Sequence, residues 1–400
     1  MRKNTLAAGV AAVTVGLALT APPAQAAPTG TVLAEGSALA VPGSYVVQLK
    51  DPELSAQDVT ASARALAARY GGRADRVYSA APRGFSAHLT PAAARRLAAD
   101  PAVALVEQDQ RFTAAATTQS PVPSWGLDRI DQRYLPLDNS YTYTSTGLGV
   151  DVYVIDSGVR VAHPEFGGRA VDGYDAVEND NTAQDSTGSG THTAGIIAGT
   201  IHGVAKQARI IAVRVLDNAG SGTTAGVIAG INWTVNHYVG NGRARPAAVN
   251  LGLGGVASTA LDNAVVASTS QGLTVGVPAG DSNANAASHS PARVASAITV
   301  GATTSTDART SFSNYGAVLD LFAPGSAITS TGLGSTPVTR GGTSVATPHV
   351  VGCVARHLQA NPTATPAQVQ AALISHATPG IVAAPGTGSP NRLLHCPPTL

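Results

Sequence analysis

The order of apolar and polar positions divides this chain into a small leading unit and a larger one. From Val41 to Asp109 the pattern predicts a strand (SYVVQL), a helix (AQDVTASARALAARYG), a strand pair around RVYSAAPRGFSAHL, a helix (PAAARRLAAD) and a last strand (VALVEQD), a compact α+β unit. AAATTQSPVPS follows, with the small residues and prolines of a flexible linker or cleavage site. After Trp125 the apolar runs VDVYVID, RIIAVRVL, AAVNLGL, LTVGV and AITVG alternate with helical stretches such as TTAGVIAGINWTVNHY and STALDNAVVASTSQG. Uninterrupted apolar strands separated by helices predict an α/β fold with a mostly parallel sheet covered on both faces. Ligands of such sheets bind at the carboxyl ends of the strands, where Asp156 ends the first run and Asp281 follows the fourth.

Composition narrows the setting. Arg2 and Lys3 precede an apolar stretch from Leu6 to Ala21 that closes in Ala24, Gln25, Ala26, the layout of a secretion signal over residues 1–26. That stretch is shorter than the roughly 20 apolar residues that span a bilayer, and no later run predicts a membrane segment. Residues 27–116 then form the leading unit and its linker, and 117–400 the larger domain. With 25 basic and 24 acidic side chains the chain carries no nucleic-acid footprint. Cys353 and Cys396 are its two cysteines, which leaves one internal disulfide or two thiols equally open.

Three stretches each put one reactive side chain among small residues: VIDSG with Asp156, GSGTHTAG with His192, and GGTSVATPHV with Ser344. Acyl transfer needs a nucleophile, a base that takes its proton and a carboxylate that orients the base. Singly, these residues read as a turn acid, a polar residue at a helix start and a helix cap. Together, and with WGLDRID, GVAKQARIIAVRVLD, SPARVASAITVGATTSTDARTSFSNYG and LDLFAPGS, they give a sequence that resembles the subtilisin-like serine proteases, or subtilases, of the proteinase K-like branch.

That resemblance implies a three-layer subtilisin-like fold and a secreted serine endopeptidase that is made as a precursor and cleaves itself. Asp156 would orient His192, His192 would act as base and then acid, and Ser344 would attack the peptide carbonyl. The leading unit would be the inhibitory prodomain, acting as intramolecular inhibitor and folding chaperone of a monomeric enzyme that needs no cofactor for catalysis. Gly220, Ser221 and Gly222, with Gly252, Leu253 and Gly254, would pair with an extended protein or peptide substrate. A pocket of Leu253, Pro278, Ala279 and Gly280 would favour apolar or aromatic side chains, with broad specificity. Asp320, with the carbonyls of Ala295 and Ala297, would match a structural calcium site.

The sequence also departs from that pattern. Asp281 stands where the family places the Asn amide of its oxyanion hole; a carboxylate has no proton to give, whereas a protonated Asp could donate one. Ser189 stands where the family usually has a second His in its HGTH motif, Gly252 replaces Ser in SLGG, Gly341 replaces Ser before GTS, and Val345 replaces Met after the nucleophile. The positions of two disulfides common in the branch hold Ser186, Asn218, Ala287 and Val318. These changes keep open a second reading, a weak or inactive binding protein on the same fold. Two other readings fit worse. GLGGVA at Gly252–Ala257 satisfies a dinucleotide fingerprint, but Asp281 lies past a proline turn and too far along to be its ribose acid. GTSVA is not the G-x-S-x-G of a nucleophile elbow.

Overall fold

The structure, a computed structural model, describes residues 28–400 apart from 52, 81, 113 and 114. The signal segment 1–26 lies outside the described residues. The described residues fall into two compact units that divide between residues 113 and 114.

The leading unit contains β1 (Val32–Leu33), β2 (Ala40–Leu49), α1 (Ala56–Arg69), β3 (Arg73–Tyr78), β4 (Gly84–His88), α2 (Pro91–Ala98) and β5 (Val103–Gln110). Its sheet runs β1-β5-β2-β4-β3, antiparallel except for β1 with β5. Period two turns Tyr45, Val47 and Leu49 inward, and helical spacing aligns Val59, Ala63, Leu66 and Ala67 over them. Ser55 and Thr90 cap the two helices through their hydroxyls. The two-residue β1 lies outside the range the apolar pattern marks, because its pairing with β5 is decided by contacts distant in sequence.

The larger unit contains β6 (Thr117–Gln119), α3 (Trp125–Asp131), β7 (Tyr141–Tyr143), β8 (Asp151–Asp156), β9 (Ala170–Asp175), α4 (Ser189–Ala198), β10 (Arg209–Arg214), α5 (Thr224–Gly240), β11 (Ala247–Leu251), β12 (Gly255–Val256), α6 (Thr259–Ser270), β13 (Thr274–Pro278), β14 (His289–Ser290), β15 (Ile298–Thr303), β16 (Leu321–Pro324), β17 (Ile328–Ser330), β18 (Val338–Arg340), α7 (Thr343–Ala360), α8 (Pro366–His376), β19 (Thr378–Pro379) and β20 (Arg392–Leu393). A nine-stranded sheet runs β19-β20-β16-β15-β13-β11-β8-β10-β9, and only the β19–β20 pair is antiparallel. Alternate residues serve opposite faces: Val152, Val154, Ile210 and Ala212 join α4 and α7, while Tyr153, Ile155, Ile211 and Val213 join α5 and α6. Both faces are thus covered, and this is why the strands read as unbroken apolar runs.

One sequence expectation needs correction. The linker is in part ordered structure: Thr117–Gln119 pair with Tyr141–Tyr143, Gln119 Nε2 donates to Ile201 O at 3.1 Å, and Ser124 caps α3. Pro348 is the sixth residue of α7 and not within its first turn, so the ring removes the bond that Ser344 O would receive four residues later. The cysteines are bonded to each other, with Cα atoms 5.9 Å apart.

Candidate active site

Ser344 is the second residue of α7. Gly342 precedes the helix at φ 149°, a conformation that favours glycine, and no side-chain cap comes from that position. The cap comes from Asp281, whose Oδ1 accepts from Thr343 N at 2.8 Å. A carboxylate there satisfies one of the free N–H groups of the first turn and complements the positive helix end. Its second oxygen, Oδ2, and Ser344 Oγ both lie 3.1 Å from the point a Cβ on Gly342 would occupy, so the acid and the serine hydroxyl flank the same small space.

The loop carrying Asp281 is fixed by residues that motif reading passes over. Buried Asn314 donates from Nδ2 to Ala279 O at 2.8 Å and accepts through Oδ1 from Ser282 N and Ala284 N, at 3.1 and 2.9 Å. Thr343 Oγ1 accepts from Gly280 N at 3.0 Å. Asn314 lies within the SFSNYG stretch that helped carry the family resemblance, but nothing in its spacing marks the role.

A cavity of about 540 Å³ opens beside these groups. Gly220, Gly222, Gly252, Leu253, Gly254, Pro278, Ala279 and Gly280 all line it, with Asp281 and Ser344 at one end. The structure therefore brings these expected substrate-binding positions together with Ser344. Ser221 is not among the lining residues: its backbone is turned onto Asp217, donating to Oδ1 and accepting from N. Leu261, Val227 and Ala292 add apolar surface, and the volume accommodates an aromatic side chain.

The expected triad is not assembled around His192. Its Nε2 lies 3.1 Å from both Ile328 O and Val338 O, and Ser330 Oγ donates to its main-chain oxygen at 2.9 Å. The ring therefore pins the β17–β18 hairpin, which leads into the Ser344 loop, and its outer nitrogen is spent on backbone carbonyls. Burial, partly opposed by those carbonyl bonds, pulls its pKa down to about 4. Asp156 is instead approached by Ser189 and Thr193. Thr193 Oγ1 lies 3.3 Å from Oδ2, Ser157 N donates to Oδ1 at 2.8 Å, and the Ser189 side chain is close enough to favour the charged carboxylate. Residues 189 and 193 are four apart and share a helix face. His192, one position before Thr193, points to the hairpin. Burial raises the Asp156 pKa to about 6, against these hydrogen bonds and aided by Asp185.

Gly252 completes this corner. A Cβ there would lie 2.5 Å from Asp156 Oδ2, so the carboxylate occupies space that the Ser of an SLGG motif would claim. Asn250, fully buried on β11, has no partner for either amide atom. Asp185 is a further organiser that the motifs do not announce. Its Oδ1 accepts from Ser157 Oγ, Thr187 N and Gly188 N, and its Oδ2 from Thr191 N and Oγ1, which fixes the entry to α4.

A family model described as "Subtilase family" matches residues 147–393, more than half of the chain. The chain belongs to the subtilase family. A model described as "Peptidase inhibitor I9" matches residues 44–115. An "Extracellular serine proteinase" of a Thermus species is 49% identical over 395 residues, 94% of this chain and 95% of its own. "Alkaline serine exoprotease A" of Vibrio alginolyticus is 44% identical over 368 residues, 89% of this chain and 68% of its own. The crystal structure of a cold adapted subtilisin-like serine proteinase matches with a TM-score of 0.66 at 49% identity, covering 69% of this chain and 99% of that one.

By family, then, this subtilase is a serine endopeptidase with an inhibitor-type prodomain, and serine-based hydrolysis needs no cofactor. Its fold also distinguishes the two histidine positions of an HGTH motif: position 189 lies on the side of Asp156 and position 192 faces the hairpin. The serine found at 189 therefore falls on the side of the base.

The calcium expectation does not fit the residues. Asp320 Oδ2 accepts from Thr299 N at 2.8 Å, and Oδ1 accepts from Gln370 Nε2 at 2.9 Å. The same amide reaches Ala297 O at 3.4 Å. A side-chain amide thus stands between the carboxylate and the carbonyl that a cation would have to bridge. Among the described residues no group of three or more His, Cys, Asp or Glu is arranged to hold a metal. Of the two disulfide positions, one pair is joined by a hydrogen bond, Ser186 Oγ to Asn218 Oδ1 at 2.6 Å.

One measurement separates a structural from a catalytic His192. The unfolded imidazole takes up a proton near pH 6.5 and the folded one only near 4, so its contribution is full above 6.5 and lost as pH falls to 4. The stability gap between wild type and His192→Asn should narrow over that window, by up to about 3 kcal/mol. Urea unfolding at pH 7.5, 6 and 4.5 reads it. A gap that widens on acidification would mean an imidazole paired with a carboxylate.

Proposed function

We propose that this subtilase is a secreted, monomeric precursor whose groove binds extended peptides with apolar or aromatic side chains and hydrolyses them slowly. The observation that carries this reading is the serine at position 189, on the helix face turned to Asp156, while His192 is committed to the hairpin. Asp281 adds to it by presenting an acceptor where a developing oxyanion needs a donor. The extracellular naming of the Thermus relative and the signal-like first 26 residues support secretion, and no helix among the described residues is long and apolar enough to cross a membrane. The prodomain acts as chaperone and inhibitor, and self-cleavage falls within Ala114–Ala116, since Thr117 onward is hydrogen-bonded into the larger unit. Slow chemistry implies slow maturation, so the unprocessed form accumulates.

The test follows prodomain removal and casein hydrolysis from acid to alkaline pH in the wild type beside Ser344→Ala. Wild type should exceed Ser344→Ala at every pH, mature over hours, and cut after apolar or aromatic residues. Prompt maturation with rapid casein hydrolysis would overturn slow catalysis. Identical behaviour of the two proteins would leave the groove as a peptide-binding surface alone.

A further inference from the structure

A second cavity, of about 630 Å³, is lined by Tyr143, Arg169, Lys206, Gln207, Arg209 and Arg245 and shares no residue with the peptide groove. Lys206 is the one lysine between residues 114 and 400. It is 8% exposed, its Nζ donates to Ile201 O at 3.0 Å, and the Tyr141 and Tyr143 ring centroids lie 5.6 and 5.8 Å away. Among the described residues it forms no ion pair. The nearby Glu165 carboxylate is held by His202 Nδ1 at 2.7 Å and Ile201 N at 2.8 Å. Arg356 lies over the Tyr141 ring from the opposite element. Burial draws the ammonium pKa down to about 8, with Glu165 opposing. At pH 7 roughly one lysine in ten is then the free amine, against fewer than about one in a thousand for an ordinary lysine.

Arg209 and Arg245 share a single carboxylate, Asp151, at 3.9 and 3.2 Å, and Arg209 Nε has no hydrogen-bond partner. Arg169 contributes charge, its nitrogens being committed to Ala198 O, Ala208 O, Glu165 O and Thr200 Oγ1. An amine buried against aromatic rings and two under-neutralised guanidinium groups thus face one space.

We propose that this cavity binds a small anionic carbonyl compound, with Arg209 and Arg245 holding the anionic group and Lys206 forming an imine with the carbonyl carbon. The Nζ lone pair adds to that carbon, the nitrogen loses its protons to solvent as the carbonyl oxygen leaves as water, and a C=N bond replaces C=O. No electrons enter or leave, and hydrolysis reverses the step.

The probe is pyridoxal 5′-phosphate, incubated with the full chain at pH 8, trapped with cyanoborohydride and located by peptide mapping. Lys206 should be modified at least about tenfold more than exposed Lys50. Pyridoxal, which lacks the phosphate, should modify Lys206 at least about tenfold less, and Arg209→Gln should bring the phosphate compound down to that level. Inorganic phosphate should compete. Equal modification of Lys206 and Lys50 would overturn the imine site, and equal modification by both aldehydes would overturn the anion site. The aldehyde comparison uses wild-type protein, so it stands even if Arg209→Gln folds poorly.

Discussion

Ser189→His combined with Asp281→Asn is expected to raise kcat/KM for an apolar peptide substrate by at least about 10⁴-fold. A positioned general base contributes roughly 10²- to 10⁴-fold and one oxyanion donor roughly 10²- to 10³-fold. The two act on the same transition state, so their joint effect should exceed the sum of the single gains. The geometry suits both changes. Position 189 is the first residue of α4, on the face that already hydrogen-bonds Asp156, so an imidazole there meets a carboxylate able to orient it. At 281, an amide oxygen can keep the bond from Thr343 N while the amide nitrogen takes the Oδ2 position facing Ser344. Progress curves for both single variants, the pair and Ser344→Ala decide it. An unchanged rate in the pair, together with loss of the wild-type rate in His192→Asn, would restore His192 as the base.

The second large effect concerns stability. Removing the Cys353–Cys396 bridge should lower the stability of the larger unit by about 3 to 4 kcal/mol, because the bond closes a loop of 43 residues in the unfolded chain. Calorimetry at one scan rate should show Cys353→Ala/Cys396→Ala melting roughly 10 °C below wild type. The bridge is reinforced by Arg356, one turn beyond Cys353. It donates to Ser145 Oγ, Tyr141 Oη, Pro397 O and Pro398 O at 3.1, 3.0, 2.9 and 2.8 Å. Both features fasten the carboxyl-terminal tail to α7, so the loss should appear first as release of that tail to proteolysis. A double variant melting within about 2 °C of wild type would show that packing alone holds the tail.

Much of the architecture was legible in the chain. Runs such as VDVYVID and RIIAVRVL announce buried parallel strands because both faces of the sheet are covered, and glycine-rich exits mark the places where reactive residues leave it. The lining of the groove followed from the family resemblance, which named Gly220, Gly222 and Gly252–Gly254 but also Ser221, a residue that does not line it. What occupies the Asp320 carboxylate was not legible, because Gln370, fifty residues away, brings its amide to it only in the fold. The linker failed because β6 finds its partner β7 across a turn and a helix.

Sequence by itself determined the fold, the family, the serine at 344 and the acid at 281. Each follows from local pattern or from a motif whose chemistry depends on residue type. Only the tertiary structure decided what the histidine does. Within GSGTHTAG, positions 189 and 192 lie less than one helical turn apart, and their neighbours alone do not say which faces Asp156. That is set by how α4 docks: Gly190 admits Gly158 so closely that a Cβ would overlap its carbonyl, which turns 189 and 193 to the acid and 192 to the hairpin.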